Sequence, residues 1–201
     1  MKYIFFFIIA ISFYSCKKGE NDPFLSLRSR TNRLVGEWKV TMEEESRTII
    51  SSIGKSTYQM NFDGAIKNII ATNESEGTTS NFSFEYTQTY TFKKDGTFLI
   101  KTSYPLYDKI SEGTWNFLKK NKTEKTKNKE CIYLIVSKYS YTGTQPTGSV
   151  VSQEPEQISI GYVVNIDELT NKKIVLINDY TSNNIGAIEN KGIFKTTLNL
   201  K

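Results

Sequence analysis

Apolar and polar residues alternate with a period of two along most of the chain that follows residue 36. Trp38, Val40 and Met42 fall on one face of the first such segment. The longest alternating stretch places aromatic residues on a single face, at Phe82, Phe84, Tyr86, Tyr90 and Phe92. Such alternation is the pattern of a β-strand with one buried face. It predicts an all-β protein.

Turn residues divide these segments into about eight to ten sequential strands. Lys94-Asp95-Gly96 is typical of a hairpin turn in which the glycine supplies a positive φ. Because short turns join consecutive strands, an antiparallel up-and-down β-barrel is the simplest way to close the sheet. A sandwich of two sheets remains an alternative.

A short helix is predicted before the first strand, from about residue 23 to residue 33. Asp22 provides the N-cap, and Pro23 occupies the first helical position. Apolar residues then recur at helical spacing, and Gly36 ends the helix.

Two insertions interrupt the strands. Residues 119–130 are rich in lysine, and residues 141–155 are rich in turn-forming residues. A run of charge is typical of a solvated hairpin tip, although the lysines could also contact anionic lipid headgroups.

The N-terminus reads as a targeting segment. Lys2 precedes an apolar stretch from Tyr3 to Phe13, which is too short to span a bilayer and predicts a signal peptide. The sequence Ser15-Cys16 that follows resembles a bacterial lipobox. This resemblance implies cleavage before Cys16 and a lipid anchor on its thiol, whereas ordinary cleavage would leave Cys16 free. The predicted divisions are a signal peptide at 1–15, a lipidated tether at 16–22 and a barrel domain at 23–201.

The predicted signal peptide and lipid anchor place the protein in the cell envelope, attached to the membrane through Cys16. The residues after Cys16 are Lys17-Lys18, which favours the outer membrane, on its periplasmic side or at the cell surface. The formal net charge of +5 is dispersed along the chain, so no nucleic-acid partner is expected.

The chain contains no histidine, which excludes Ser-His-Asp and Cys-His catalytic groups and histidine-bound metals. Cys131 lies in an apolar run and is expected to be a buried structural cysteine. Glu43, Glu44 and Glu45 are consecutive, so only Glu43 and Glu45 share a face, and we expect a solvated strand end. We therefore expect no enzyme activity, no cofactor and no metal.

Two Gly-x-Trp triplets stand at Gly36-Glu37-Trp38 and Gly113-Thr114-Trp115. The first follows the predicted helix and opens the first strand, and it resembles the lipocalin signature. Together with the segment from Thr91 to Phe98, the order of these motifs resembles the bacterial lipocalin-like lipoproteins. The resemblance implies a lipocalin-like barrel whose closed end is plugged by Trp38.

Lipocalins also place an arginine late in the chain against this tryptophan, but no arginine follows Arg47 here. The candidates to replace it are Lys191, Lys195, Arg28, Arg30 and Arg33.

Two functions stay open at this point. An eight-stranded barrel can be hollow or filled. A hollow barrel would bind a small, partly hydrophobic molecule. Its candidate contacts are Phe82, Phe84, Tyr86, Tyr90, Phe98, Trp115 and Tyr162. A filled barrel would be a structural or interaction lipoprotein, with the loops at 119–130 and 141–156 contacting an envelope protein.

Overall fold

The computed structural model describes residues 28–52, 54–119, 131–144, 150–182 and 187–201. These residues form one short helix, α1 (Arg30–Leu34), and eleven antiparallel strands. The strands are β1 (Gly36–Ser51), β2 (Gly54–Phe62), β3 (Ile66–Asn73), β4 (Thr78–Glu85), β5 (Thr87–Phe92), β6 (Thr97–Ser103), β7 (Tyr107–Phe117), β8 (Cys131–Thr144), β9 (Val150–Leu169), β10 (Lys173–Ser182) and β11 (Ala187–Leu200). The predicted all-β class is confirmed.

Eight of these strands close into a barrel. Strands β5 to β11 follow one another as sequential antiparallel neighbours. β1 completes the circle because it pairs with β11 on one side and, through Gly36–Lys39, with β5 on the other. The antiparallel up-and-down barrel is thus confirmed, and the sandwich alternative is wrong.

The remaining strands, β2 to β4, form an extension of the barrel wall. β2 pairs with the second half of β1, and β3 and β4 follow in order. β1 continues beyond Lys39, where its pairing with β5 ends, and the extension covers an edge that would otherwise be unpaired.

The aromatic stretch at 82–92 is two strands rather than one. Tyr86 lies between β4 and β5, and its backbone N–H donates to the carbonyl oxygen of Ala65, 3.1 Å away. After Tyr86 the chain leaves β3 and pairs with β6 and β1. The alternation of side chains persists across this change of partner, which is why the sequence pattern alone does not reveal it.

Helix α1 packs against the barrel, where it contacts β9. Its N-cap is Ser29, whose side chain accepts a hydrogen bond from the backbone N–H of Asn32 at 3.1 Å. The prediction of a helix from 23 to 33 is wrong at residues 28 and 29, which are not helical, and residues 23–27 lie outside the described part of the chain. Asp22 likewise lies outside it.

Trp38, which the resemblance places at the closed end of the barrel, lies four residues after Leu34 of α1. It is fully buried, and its Nε1 donates to the carbonyl oxygen of Leu34 at 2.8 Å. The nearby arginines come from the helix: Arg30 and Arg33 are buried, and Arg33 Nη1 donates to the carbonyl oxygen of Leu169 on β9. Arg33 therefore ties α1 to the barrel, whereas Lys191 forms an ion pair with Glu189.

A β-bulge changes which residues of β1 face inward. The register of β1 against β11 shifts between Val40 and Met42. Before the shift Trp38 and Val40 are buried; after it Met42 is 47% exposed and Glu43 is buried. The prediction that Met42 shares the face of Trp38 is wrong, because the extra residue of a bulge reverses the alternation.

Two local predictions are confirmed. Gly96 has φ +83° in the turn between β5 and β6, and Cys131 is buried, with its thiol 2.9 Å from Asn165 Oδ1. The insertion predicted at 141–155 is wrong at residues 141–144 and 150–155, which belong to β8 and β9, and residues 145–149 lie outside the described part of the chain. The lysine-rich segment lies outside the described residues from position 120 to position 130.

The predicted signal peptide, the tether and the lipid-attachment residue Cys16 also lie outside the described residues. Within the part of the chain that the structure describes, no helix is both long enough and apolar enough to cross a membrane.

Candidate functional site

A buried ion pair marks the place where the extension joins the barrel. Lys67 on β3 places its Nζ 2.6 Å from Glu43 Oε2 on β1. The two side chains are only 10% and 2% exposed. The ammonium group also lies 3.3 Å from the centroid of the Tyr86 ring, an arrangement that stabilises a buried cation. Strand β1, strand β3 and the link between β4 and β5 therefore meet at Lys67.

Burial determines the protonation of this pair. Loss of solvation raises the pKa of Glu43 more than the charge of Lys67 lowers it. Loss of solvation likewise lowers the pKa of Lys67, against the opposing effect of Glu43. The expectation of a solvated strand end is wrong for Glu43, because the bulge after Val40 turns it inward.

An aromatic cluster surrounds the ion pair. The Tyr86 ring meets the rings of Phe62 and Tyr104 edge-on, at centroid distances of 5.0 and 5.2 Å. Tyr104 also stacks on Tyr107 at 4.3 Å and contacts Phe84 at 5.9 Å. Burial raises the pKa of Tyr86 far above its usual range. Tyr104 precedes β7 and Tyr107 begins it, and neither was among the predicted site residues.

Two tyrosines lie deeper inside the barrel. Tyr90 pairs with Trp38 and with Ile100, and Tyr162 pairs with Leu134, so both share a face with buried residues. Burial raises the pKa of both tyrosines. Both nevertheless keep accessible surface, unlike the buried residues beside them. Neither hydroxyl group donates to or accepts from another residue in the described ranges.

Other polar groups inside the barrel also lack partners. Thr196 is 1% exposed, and its Oγ1 has no hydrogen-bond partner among the described residues. It pairs with Glu43 across β1 and β11. Gln88 donates from Nε2 to Thr102 Oγ1 at 3.0 Å, while its Oε1 is buried and unpartnered within the same ranges. Buried polar atoms normally have partners, so these atoms are sites where a bound molecule or water could add a hydrogen bond.

The structure brings together only part of the predicted contact set. Phe84, Tyr86, Tyr90 and Tyr162 border the barrel interior. Phe98 and Trp115 belong to the packed core, where Trp115 meets Phe92 edge-on at 5.9 Å and donates to the carbonyl oxygen of Lys93. Phe82 lies on β4 in the extension and is 55% exposed, so it is not inside the closed barrel.

The extension carries two further concave surfaces. A cleft of about 220 Å³ on its inner face, toward the barrel interior, includes Arg47 and Tyr58. A groove of about 310 Å³ lies mainly on the outer face where the extension meets β1 and β11, and it includes Ile70, Ile193 and Lys195. Sequence reasoning did not single out either surface, because each is assembled from residues on several strands.

The described ranges contain no cluster of three or more Cys, Asp or Glu side chains that could hold a metal ion. The arrangement is suited to binding: apolar rings supply area, and buried hydroxyl and amide groups supply direction. No known protein-family model matches the chain, and no curated protein is significantly similar to it.

Proposed function

We propose that the chain is a lipid-anchored protein of the cell envelope, in the outer membrane, whose barrel binds a small, partly apolar molecule. The lipid anchor and the address follow from the lipobox-like sequence at Ser15-Cys16. The binding function is supported by the eight-stranded barrel and by the residues that border its interior.

The proposal rests on the partial burial of the Tyr90 and Tyr162 rings. Both rings point into the barrel and are enclosed enough for burial to raise the pKa of their hydroxyl groups. Yet both retain accessible surface beside fully buried neighbours. A tightly filled core would cover them, since protein interiors pack at the density of organic crystals. We infer that a ligand occupies space next to these two rings.

The free energy gained by burying the apolar surface of a small ligand is large enough for binding. Removing about 300 Å² of apolar ligand surface from water contributes roughly 7 kcal/mol before the cost of association. The hydroxyl groups of Tyr90 and Tyr162 would then favour a ligand that also carries a hydrogen-bonding group.

A second function is favoured by the outer groove of the extension. Ile70 is 42% exposed and Ile193 is 57% exposed in that groove. Exposed apolar side chains rimmed by polar residues are typical of protein interaction surfaces. The alternative is a structural or interaction lipoprotein that contacts an envelope partner and holds no small molecule.

Native mass spectrometry of the full protein, purified gently from its own host, separates the two functions. Under our proposal a reproducible extra mass is retained, is lost on denaturation and is recovered by solvent extraction. A bare protein mass, with no binding across a panel of fatty acids and isoprenoids, would support the interaction function instead.

A further inference from the structure

We infer that the cleft beside Arg47 and Tyr58 binds the acidic headgroup of an amphiphilic ligand. The apolar part of that ligand would lie against Phe82, which is 55% exposed in the row beside the cleft. This inference rests on the proposed function, because the apolar part would continue from there into the barrel interior.

The inner face of the extension is built in rows, because directly paired residues on antiparallel strands share a face. The row of Glu43 contains Phe62, Lys67 and Phe84. The next row outward contains Glu45, Met60, Ile69 and Phe82. The third contains Arg47, Tyr58, Ala71 and Ser80. Arg47 therefore lies about 13 Å along β1 from Glu43, at roughly 3.3 Å per residue.

Arg47 lines the cleft with a side chain that is 32% exposed and forms a loose ion pair with Glu45. Its guanidinium carbon lies 4.6 Å from the centroid of the Tyr58 ring, so the ring supports the guanidinium group. Its Nε is buried and has no hydrogen-bond partner among the described residues. The Glu45 carboxylate is 3.9 Å from that nitrogen, which is beyond hydrogen-bonding distance. A carboxylate or phosphate matches the planar donor fork of arginine.

Hydroxyl groups complete the lining of the cleft. They belong to Ser56, Tyr58, Thr78 and Ser80, which share the inner face with Arg47. Hydroxyl groups can donate to the remaining oxygen atoms of an acidic headgroup. The cleft thus favours an oxygen-rich anion over a neutral apolar group.

The middle row explains why the ligand should be amphiphilic. Phe82 is 55% exposed, although it lies on the inner face between the buried row of Glu43 and the cleft. A free anion in the cleft would leave Phe82 in water. A ligand with an apolar chain would cover it and remove that surface from water.

The test compares myristate, myristyl alcohol and inorganic phosphate by titration calorimetry on the full chain. Arg47→Gln should weaken myristate binding about tenfold, the expected effect of losing a charge-assisted hydrogen bond, and leave myristyl alcohol within about twofold. Glu45→Gln should have the opposite effect and strengthen myristate binding, because it removes a nearby negative charge.

Phe82→Ala should weaken the binding of both myristate and myristyl alcohol. Lys101→Gln, an exposed cation on β6, is the matched control and should change neither.

Each other outcome overturns the inference. Equal losses of myristate and alcohol binding in Arg47→Gln would show a structural role for the arginine. Phosphate binding as tight as that of myristate, and dependent on Arg47, would identify a site for a free anion. If myristate does not bind at all, the headgroup site is wrong, whereas the proposed function is still judged by the mass retained from the host.

Discussion

Lys67 Nζ lies 2.6 Å from Glu43 Oε2 in the interior, where both side chains are almost fully withdrawn from solvent. Glu43 belongs to β1 of the barrel, and Lys67 belongs to β3 of the extension. The ion pair therefore ties the extension to the barrel wall, next to the residues that we propose contact a ligand.

Removing one partner of this pair should be costly. Lys67→Met leaves the Glu43 carboxylate buried and unpaired, and we expect a loss of about 3–5 kcal/mol in the free energy of unfolding. The double variant Glu43→Leu/Lys67→Met removes both charges and should recover most of that loss. Urea denaturation of the three proteins provides the measurement.

The exposed pair Lys55–Glu74 is the matched control. Its atoms are 2.7 Å apart, but the side chains are 46% and 45% exposed. Because surface ion pairs contribute little, Lys55→Met should change the unfolding free energy by less than about 1 kcal/mol. Equal effects of Lys67→Met and Lys55→Met would contradict the role given to the buried pair.

Stability should depend on pH through Glu43. Its pKa in the folded protein is raised above the ordinary value of 4.5, chiefly by burial. As the pH falls from neutrality toward 4.5, the folded chain takes up this proton before the unfolded chain does. Proton uptake by the folded state stabilises it, so the Glu43 contribution increases on acidification and is lost as the pH rises through the folded pKa.

The measurement is the difference in unfolding free energy between the natural protein and Glu43→Leu/Lys67→Met. The unfolding free energy of the natural protein should increase relative to that of the double variant as the pH falls from neutrality toward 4.5. Burial lowers the pKa of Lys67 below the ordinary value of 10.5. A difference that stays constant, or that moves against the natural protein in acid, would contradict the raised pKa of Glu43.

Gly113, in the second Gly-x-Trp triplet, should not accept a side chain. A Cβ at this position would collide with the carbonyl oxygen of Ile135 and would approach the Phe98 ring to 2.9 Å. We expect Gly113→Ala to lower the unfolding free energy by about 1–3 kcal/mol through overpacking. Gly77→Asn is the control, since open space surrounds Gly77 and asparagine tolerates its φ of +63°. Thermal unfolding that ranks the two variants the other way would contradict the close packing at Gly113.

Arg33 should stabilise the packing of α1 against the barrel. Arg33→Met removes the donor to the carbonyl oxygen of Leu169 and leaves that buried oxygen without this bond. The expected loss is about 1–3 kcal/mol in urea denaturation. Asn32→Ala changes an exposed side chain on the same helix and should have little effect. If both variants unfold at the same urea concentration as the natural protein, α1 does not depend on Arg33.

Local patterns predicted the parts of the fold that depend on local chemistry. The turn at Gly96 was readable because it follows from a few adjacent residues. The alternation also gave the correct class, since it reports one buried face on each strand. The start of α1 was not readable, because Asp22-Pro23 is as good a capping sequence as Ser29.

The candidate site was harder to predict because a bulge and a change of strand partner define it. The alternation of Trp38, Val40 and Met42 gives no sign of the register shift that buries Glu43. The partner of Glu43 is Lys67, which β2 separates from it in the sheet. Pairings of this kind depend on tertiary registration, which a period of two does not encode.

Binding inside the barrel is the central claim, and two neighbouring positions on β9 test it most directly. Tyr162 faces the interior, while Val163 is 42% exposed on the opposite face. Tyr162→Trp enlarges the ring inside the barrel and removes its hydroxyl group, whereas Val163→Trp adds a ring outside. Native mass spectrometry on the proteins purified from the host should show a retained small molecule in the natural protein and in Val163→Trp, and a reduced or absent one in Tyr162→Trp. No retained mass in the natural protein, or equal retention in both variants, would contradict the claim.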